Sequence, residues 1–292
     1  MEFSTALFLN AIVAGLLLGG FYAAVSVGIS ISFGMLDVVN IAHPGFILLG
    51  AYIAYIVNSL FGVDPILVAI VLSPLFFLLG MALYRVYYHC FEKRGQESLR
   101  GLAFFFGILF ITEVVLVLIF GVDYRTVQTA YADVPPLQLG EVDFPLRLVV
   151  PFVVSMAMLA GIQVLLTRTF FGRAVLAVAQ DPLALRLMGV NPVRIKELAF
   201  ALSIATAGVA GSFLIVIQPV EPSIGREYIG LVFAVCVLGG MGSIPGTLVG
   251  AFVLGLAESF TSTFFGPSWA PAVSFGLLLL ALAFRPAGLF GR

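Results

Sequence analysis

The chain repeats one pattern along its length, namely apolar runs that are as long as a lipid bilayer is thick. A helix needs about 20 predominantly apolar residues to cross the hydrocarbon core. Runs of this kind occupy residues 6–33, 36–58, 65–85, 101–120, 145–166, 197–218, 246–265 and 271–285. Because lipid cannot hydrogen-bond to an exposed backbone, such runs must form helices. The sequence therefore predicts an all-α, polytopic transmembrane helical bundle of about eight spans, with an upper limit of ten.

Two places interrupt this pattern. A ninth apolar run, at residues 229–239, is too short to span the bilayer alone, and it continues into the sequence GGMGSIPG at residues 239–246. That stretch is too rich in glycine and proline to stay a regular helix. The polar residues Asp37, Asn40 and His43 stand directly before the second long run. We therefore predict broken or re-entrant segments near 34–46 and near 239–246.

Composition places the chain among integral membrane proteins. Hydrophobic residues make up 61% of the chain and charged residues 10%, and the mean hydropathy is +1.16. A soluble domain, by contrast, has about a quarter of its residues charged. Because no stretch is long and polar enough for a separate soluble domain, residues 1–292 are predicted to form a single transmembrane domain.

The motifs of common enzymes are missing from the sequence. It contains no GxxxxGK[ST] phosphate loop, no HExxH or CxxC motif, and no nucleophile with a plausible base. Cys90 and Cys236 are far apart, so no metal site, disulfide or cofactor is predicted. The sequence pI near 6.1 argues against a nucleic-acid partner. The chain is therefore predicted not to be an enzyme, and any energy for uphill transport must come from elsewhere.

Lys and Arg are concentrated in a few stretches, and short loops with this bias face the cytoplasm. Most of the 14 basic residues lie at 85–100, at 168–196 and in the tail from Arg285. Acidic residues dominate the segment 121–144 and the turn 221–227. We therefore expect the basic stretches on the cytoplasmic side, the acidic ones outside, and the N-terminus outside by parity.

The polar stretch from Arg168 to Lys196 is longer than topology alone requires. Asp181-Pro182 is typical of a helix start, and Gly189 can end the helix that follows. Apolar residues alternate with charged ones between these signals, which favours a short amphipathic helix. Such a helix can lie on the membrane surface or insert into a groove of a partner. The plainer interpretation is a solvated basic loop that only sets the topology.

Four stretches carry more specific information. They are residues 34–52 (GMLDVVNIAHPGFILLGAY), 172–200 (GRAVLAVAQDPLALRLMGVNPVRIKELAF), 239–251 (GGMGSIPGTLVGA) and 285–291 (RPAGLFG). Together, and in this order, they resemble the permease subunits of bacterial ABC importers of the branched-chain amino-acid family. Pro44 departs from the pattern, because many members have glycine there. We expect it only to stiffen the start of a helix.

The resemblance implies the permease subunit of an ATP-driven importer that crosses the bacterial inner membrane several times. A second, homologous permease subunit would complete the translocation path. Two cytoplasmic ABC ATPase subunits would supply energy, and a periplasmic or extracellular solute-binding protein would deliver the substrate. The implied substrate is a branched-chain or other hydrophobic amino acid, or a related amide, urea or aromatic acid. Residues 168–196 would be the cytoplasmic coupling loop, and its candidate residues are Arg173, Asp181, Arg186 and Gly189.

Polar residues at membrane depth are candidates for the substrate path, because each needs a protein or water partner there. These candidates are Asn40, His43, Glu113, Ser243 and Glu258. Structural interpretations stay open for them: a neutral ring bonded to broken backbone for His43, helix-to-helix hydrogen bonds for the two glutamates, and a tight turn for Ser243. Either glutamate has the right charge to bind the ammonium group of a substrate.

Two other classes of function stay open at this point. The chain could act alone as a passive channel or an ion-coupled carrier, with Glu113, Glu258 and His43 as sites for the coupling ion. It could also be a scaffold within an assembly. Solute flux through the purified chain alone would favour the channel or carrier, whereas stable ATPase partners would favour the importer.

Overall fold

The computed structural model describes residues 5–95, 97–132, 134–140, 142–285 and 288–290. Its helices are α1 (Thr5–Ser32), α2 (His43–Phe61), α3 (Pro65–Cys90), α4 (Glu97–Phe120), α5 (Leu146–Arg168), α6 (Phe170–Gln180), α7 (Pro182–Leu187), α8 (Pro192–Ile217), α9 (Gly225–Gly239), α10 (Ile244–Phe264) and α11 (Ala270–Phe284). Short 3₁₀ helices cover Glu92–Arg94, Pro222–Ile224 and Pro267–Trp269, and strands β1 (Leu137–Leu139) and β2 (Val142–Phe144) form an antiparallel pair. Asp133 and Glu141 of the acidic segment, and Pro286, Ala287, Gly291 and Arg292 of the tail, lie outside the described residues.

Nine helical spans within these residues are long and apolar enough to cross a membrane. They are α1 to α5 and α8 to α11. The predicted all-α, polytopic bundle is thus confirmed. The interpretation of residues 229–239 as too short was wrong, since the span runs from Pro222 to Gly239. The first turn of α9 contains Arg226 and Glu227. Because these residues are charged, a search for apolar runs misses the start of this helix.

The interruption after α1 is a connector of ten residues, 33–42, that forms turns and extended chain rather than a regular helix. The second span therefore begins at His43, not at residue 36 as the apolar run predicted. Pro44 lies in its first turn, where the missing N–H of a proline costs no helical hydrogen bond. A second interruption, residues 240–243, separates α9 from α10.

Helices α1 and α8 lie at the centre of the bundle, whereas α4 and α11 are the most exposed of the spans. Close backbone contact between α1 and α10 depends on glycine. A Cβ atom at Gly255 would lie 2.6 Å from the carbonyl oxygen of Gly15, and one at Gly19 would lie 2.9 Å from the carbonyl oxygen of Ala251. Small residues allow membrane helices to approach in this way, and van der Waals packing then holds them together.

One end of the bundle carries most of the basic residues, and we call it the basic end. Two ion pairs join the end of α3 and the 3₁₀ turn after it to the start of α8. Lys196 Nζ lies 2.7 Å from Glu92 Oε1, and Arg85 Nε lies 2.5 Å from Glu197 Oε1. The basic stretches 85–100 and 168–196, which the sequence predicted on one side of the membrane, therefore share one end of the fold.

The two interrupted segments and the tail also meet at the basic end. Gly34 of the connector lies against the backbone of Gly242 between α9 and α10. In the tail, the Leu289 N–H donates to the carbonyl of Leu238, with 2.9 Å between the two atoms. A carbonyl group at the end of α9 that has no helical partner is satisfied in this way.

The opposite, acidic end is covered by the loop between α4 and α5. Arg125 and Val220 exchange backbone hydrogen bonds of 2.8 and 2.9 Å, which ties this loop to the turn after α8. The Tyr131 hydroxyl donates to Asp64 Oδ1 at 3.1 Å. Burial, followed by the charge of Asp64, raises the pKa of Tyr131, so this hydroxyl stays a donor at neutral pH.

Candidate functional site

Residues 168–196, here called the coupling segment, form α6, α7 and the first turn of α8. Side-chain caps define where these helices begin. Asp181 Oδ1 accepts hydrogen bonds from the N–H groups of Leu183 and Ala184, at 2.9 and 3.0 Å. Gly189 follows α7 with φ of 79°, a left-handed conformation that glycine adopts without strain. The coupling segment is therefore a folded element with a capped central helix.

Helix α7 exposes apolar side chains at the basic end. Leu183, Leu187 and Met188 are 66%, 84% and 80% exposed, whereas Leu185 is buried and anchors the helix to the bundle. Arg186 is exposed on the same short helix, and Arg173 is exposed on α6. Exposed apolar side chains beside a charged residue are typical of a site for protein–protein contact.

A partly buried network of charged groups supports the base of the coupling segment. Glu92 Oε1 accepts from Lys196 Nζ, and Glu92 Oε2 accepts from the Tyr84 hydroxyl at 2.6 Å. Because both carboxylate oxygens are bonded, the first turn of α8 is fixed to the end of α3. A cavity of about 510 Å³ lies beside this network, between the connector 33–42, α4 and the junction of α6 with α7.

The five candidates for the substrate path do not meet in one site. Asn40 and His43 lie at the connector and the start of α2, and both are fully buried. His43 Nε2 lies 3.1 Å from the carbonyl oxygen of Val25. Val25 is seven residues from the end of α1 at Ser32, or about 10 Å along the helix axis at 1.5 Å per residue. The connector therefore runs back into the bundle, and α2 begins there at the level of Val25.

Several buried polar atoms around this region make no hydrogen bond to the part of the chain that the structure describes. They are both side-chain polar atoms of Asn40, Nδ1 of His43, and the hydroxyl oxygens of Ser26, Ser30 and Ser32. Buried polar groups normally have a hydrogen-bond partner. The core between α1 and the start of α2 is therefore unusually polar for the interior of a membrane protein.

Ser243 serves as the N-cap of α10. Its hydroxyl oxygen accepts from the Gly246 N–H at 3.1 Å, so the side chain is already used by the fold. Glu113 lies toward the acidic end of α4 and pairs with Arg226 at the start of α9, with 2.6 Å between Oε1 and Nη2. Two of the candidates therefore have protein partners that the sequence did not reveal.

Glu258 lies in α10 and faces a cavity near the acidic end. The Tyr22 hydroxyl of α1 interacts with its carboxylate, and Tyr228 of α9 lines the same cavity. Glu258 Oε2 is buried and has no hydrogen-bond partner within the described chain. Among the five path candidates, Glu258 is the one that combines a free acceptor atom with an adjacent cavity.

Sequence reasoning missed Arg226, Glu92, Tyr22 and Tyr228. Arg226 and Glu92 find partners more than 100 positions away, so no local spacing could reveal them. The two tyrosines stand in apolar runs and read as ordinary amphipathic aromatics. A search of the sequence for intramembrane carboxylates finds Glu113 and Glu258 but not the residues that contact them.

Comparisons with known proteins agree on one family. A family model described as the branched-chain amino acid transport system / permease component matches residues 11–282. The chain is 30% identical to the high-affinity branched-chain amino acid transport system permease protein BraD of Pseudomonas aeruginosa, over 98% of this chain and 96% of that protein. It is 30% identical to LivH of Escherichia coli, with the same coverage. It is also 36% identical to LivM of Salmonella typhimurium over 126 residues, which cover 42% of this chain and 29% of LivM.

Proposed function

Because the chain belongs to the family of branched-chain amino acid transport permease components, we propose that it forms part of the translocation path of an ATP-driven importer. As a member of this family it is a multi-pass permease of the inner membrane and a transport subunit rather than an enzyme. A second, related permease subunit would complete the path. The similarity of this chain to both LivH and LivM supports a pair of homologous permeases.

The observation that carries this proposal is the exposed apolar face of α7. Leu183 and Leu187 are four positions apart and therefore lie on the same face of the helix, and both are largely exposed. A capped helix with this face at the basic end fits a groove in a cytoplasmic partner. We propose that this partner is one of the two ABC ATPase subunits that the family resemblance implies. Arg173 and Arg186 would then contact the ATPases, while Asp181 and Gly189 would shape α7.

The substrate proposed for this path is a branched-chain or other hydrophobic amino acid, with amides, urea and aromatic acids as related solutes. A solute-binding protein would deliver it to the acidic end. Of the candidates, Glu258 has the best-placed free acceptor atom for a substrate. Asn40 and His43 would act from within the bundle, whereas Glu113 and Ser243 would position helices through Arg226 and the Gly246 N–H.

The test is a double substitution, Leu183→Glu with Leu187→Glu, in the full chain expressed in its native host. Burying one leucine side chain stabilises a complex by about 1.5–3 kcal/mol, so losing two should reduce ATPase copurification at least tenfold and abolish uptake of labelled leucine. Val122→Glu is the matched control. It places one charge on an exposed apolar residue in the loop at the acidic end, and it should leave ATPase copurification unchanged.

Two results would contradict the proposal. One is normal ATPase copurification by the double variant when its membrane yield and melting temperature match those of the wild type. The other is leucine flux through the purified chain alone in liposomes, which would favour a stand-alone channel or an ion-coupled carrier.

A further inference from the structure

A small cavity opens among α1, α9, α10 and α11 in the half of the bundle nearest the acidic end. Its volume is about 180 Å³, well below the roughly 300–1,000 Å³ of sites for drug-sized ligands. Glu227 and Glu258 line it together with Tyr22, Tyr228 and Ser274. Its described lining residues include no Lys, Arg or His. The cavity is therefore small, and it is lined by acidic and hydroxyl-bearing residues without a basic one.

Glu113 and Glu258 are the two carboxylates among the path candidates, and they differ in one respect. Glu113 has a guanidinium partner in Arg226. Glu258 has only neutral neighbours on the cavity wall apart from Glu227, and its Oε2 atom is buried without a hydrogen bond to the described chain. An ionised carboxylate at membrane depth is costly unless it is paired. A positively charged group of a ligand could therefore supply the partner that Glu258 lacks.

Ser274 adds a second polar group to the cavity. Its side chain is only 5% exposed, it lines the cavity, and its hydroxyl oxygen can accept a hydrogen bond from a ligand. Tyr228 accepts from Gln218 Nε2 at 3.1 Å, which leaves one lone pair of its hydroxyl oxygen free. Glu258, Ser274 and Tyr228 therefore each bring an acceptor to the cavity, and a protonated primary amine has three N–H donors to offer them.

The remaining lining residues are Gln218, whose amide donates to Tyr228, and the apolar residues Leu231, Pro271 and Phe275. The three apolar side chains suit an aliphatic body of a few carbon atoms, and an aromatic ring also attracts a nearby cation. A ligand with an ammonium group and a short branched chain would match both the polar and the apolar lining residues.

We propose that this cavity binds the protonated amino group of a small solute, with Glu258 as its charge partner and Ser274 and Tyr228 as hydrogen-bond acceptors. The inference deepens the proposed function, on which it rests, by giving the Glu258 candidate a definite ligand chemistry. The ethanolamine headgroup of a phospholipid carries the same ammonium group, so the experiment must separate a free solute from a lipid.

The test uses the purified full chain in nanodiscs made of lipids without primary amines, with 3-methylbutylamine as the probe and calorimetry as the readout. Its neutral counterpart is 3-methylbutan-1-ol, and its anionic counterpart is 3-methylbutanoate. We expect the amine to bind at least tenfold more tightly than the alcohol, and the anion to show no binding. Charge-assisted hydrogen bonds contribute about twice as much as neutral ones.

Glu258→Gln keeps the shape of the side chain and removes its charge, so it should weaken binding of the amine at least tenfold. Ser274→Ala tests the same site without changing any charge and should weaken binding severalfold. Asp123→Asn, which removes an exposed carboxylate at the acidic end, is the matched control and should change nothing. Equal affinity for amine and alcohol, or unchanged binding by both cavity variants, would overturn the proposal.

A second set of nanodiscs containing phosphatidylethanolamine distinguishes the source of the ammonium group. Undiminished binding of the probe in these discs assigns the cavity to a free solute. Loss of probe binding, with retention of the lipid by the wild type but not by Glu258→Gln in native mass spectrometry, assigns it to the headgroup. Neither result depends on ATPase partners, so failure of the importer assignment and failure of this site are separately visible.

Discussion

Removal of the side-chain cap of α7 should uncouple ATP hydrolysis from uptake. Asp181 Oδ1 satisfies two backbone N–H groups at the start of a helix of only six residues. Replacing such a cap by alanine costs about 0.5–2 kcal/mol, and isolated helices shorter than about 12 residues are already marginal. At about 1.4 kcal/mol, the ratio of folded to unfolded α7 falls tenfold.

The substitution Asp181→Ala is therefore expected to lower the number of substrate molecules moved per ATP hydrolysed by about fivefold to tenfold. The assay is a proteoliposome that contains the complete importer, in which uptake and ATP hydrolysis are measured together. Asp181→Asn is the matched control. Asparagine caps a helix about as well as aspartate, so this variant should keep coupling within about twofold of the wild type.

Hydrogen exchange locates the effect. The amide groups of Leu183 and Ala184, which Asp181 caps, should exchange about tenfold faster in Asp181→Ala than in Asp181→Asn. Two outcomes would refute the reasoning. Equal uncoupling by the two variants would show that the charge of Asp181 acts directly, and full coupling by Asp181→Ala despite fast exchange would show that the fold of α7 is irrelevant.

Three further results are expected. Lys196→Met should lower the free energy of unfolding by about 1–3 kcal/mol, because it strips a donor from a largely buried Glu92, and adding Glu92→Gln should recover part of the loss in thermal melts. Arg226→Gln should destabilise the chain more than Glu113→Gln, since the first strands a buried carboxylate and the second only a guanidinium that is 60% exposed; equal melting temperatures would contradict this. Gly34→Ala should reduce the yield of folded protein from detergent extracts, because the added Cβ would collide with the backbone between α9 and α10.

The local features of the fold were predictable because their physics is local. Asp181-Pro182 and Gly189 mark the limits of a short helix through capping and backbone conformation, and α7 occupies the interval between them. The spans could be found because a bilayer requires a fixed length of apolar helix. The start of α2 was placed seven residues early, since Ile41 and Ala42 are apolar yet lie in the connector.

The partners of the candidate residues were not predictable, because they depend on tertiary packing. Glu113 and Glu258 have the same appearance in sequence, as single carboxylates within apolar runs. Arg226 at the start of α9 pairs with Glu113, whereas Tyr228 of the same helix lines the cavity beside Glu258. The same residue type thus becomes a structural ion pair in one helix and an unpaired acceptor beside a cavity in another.

The arrangement of the basic end determines where a movement of α7 would be absorbed. The Glu92–Lys196 pair fixes the first turn of α8 to the end of α3, so α8 cannot follow α7 without breaking a largely buried ion pair. The cavity of about 510 Å³ beside the connector 33–42 leaves room for the junction of α6 and α7 to shift. Gly189 lies between α7 and α8, and a Cβ there would meet no atom within 4 Å. If ATPases push on α7, as we propose, we expect the chain to bend at Gly189 and α7 to move toward the connector that precedes His43.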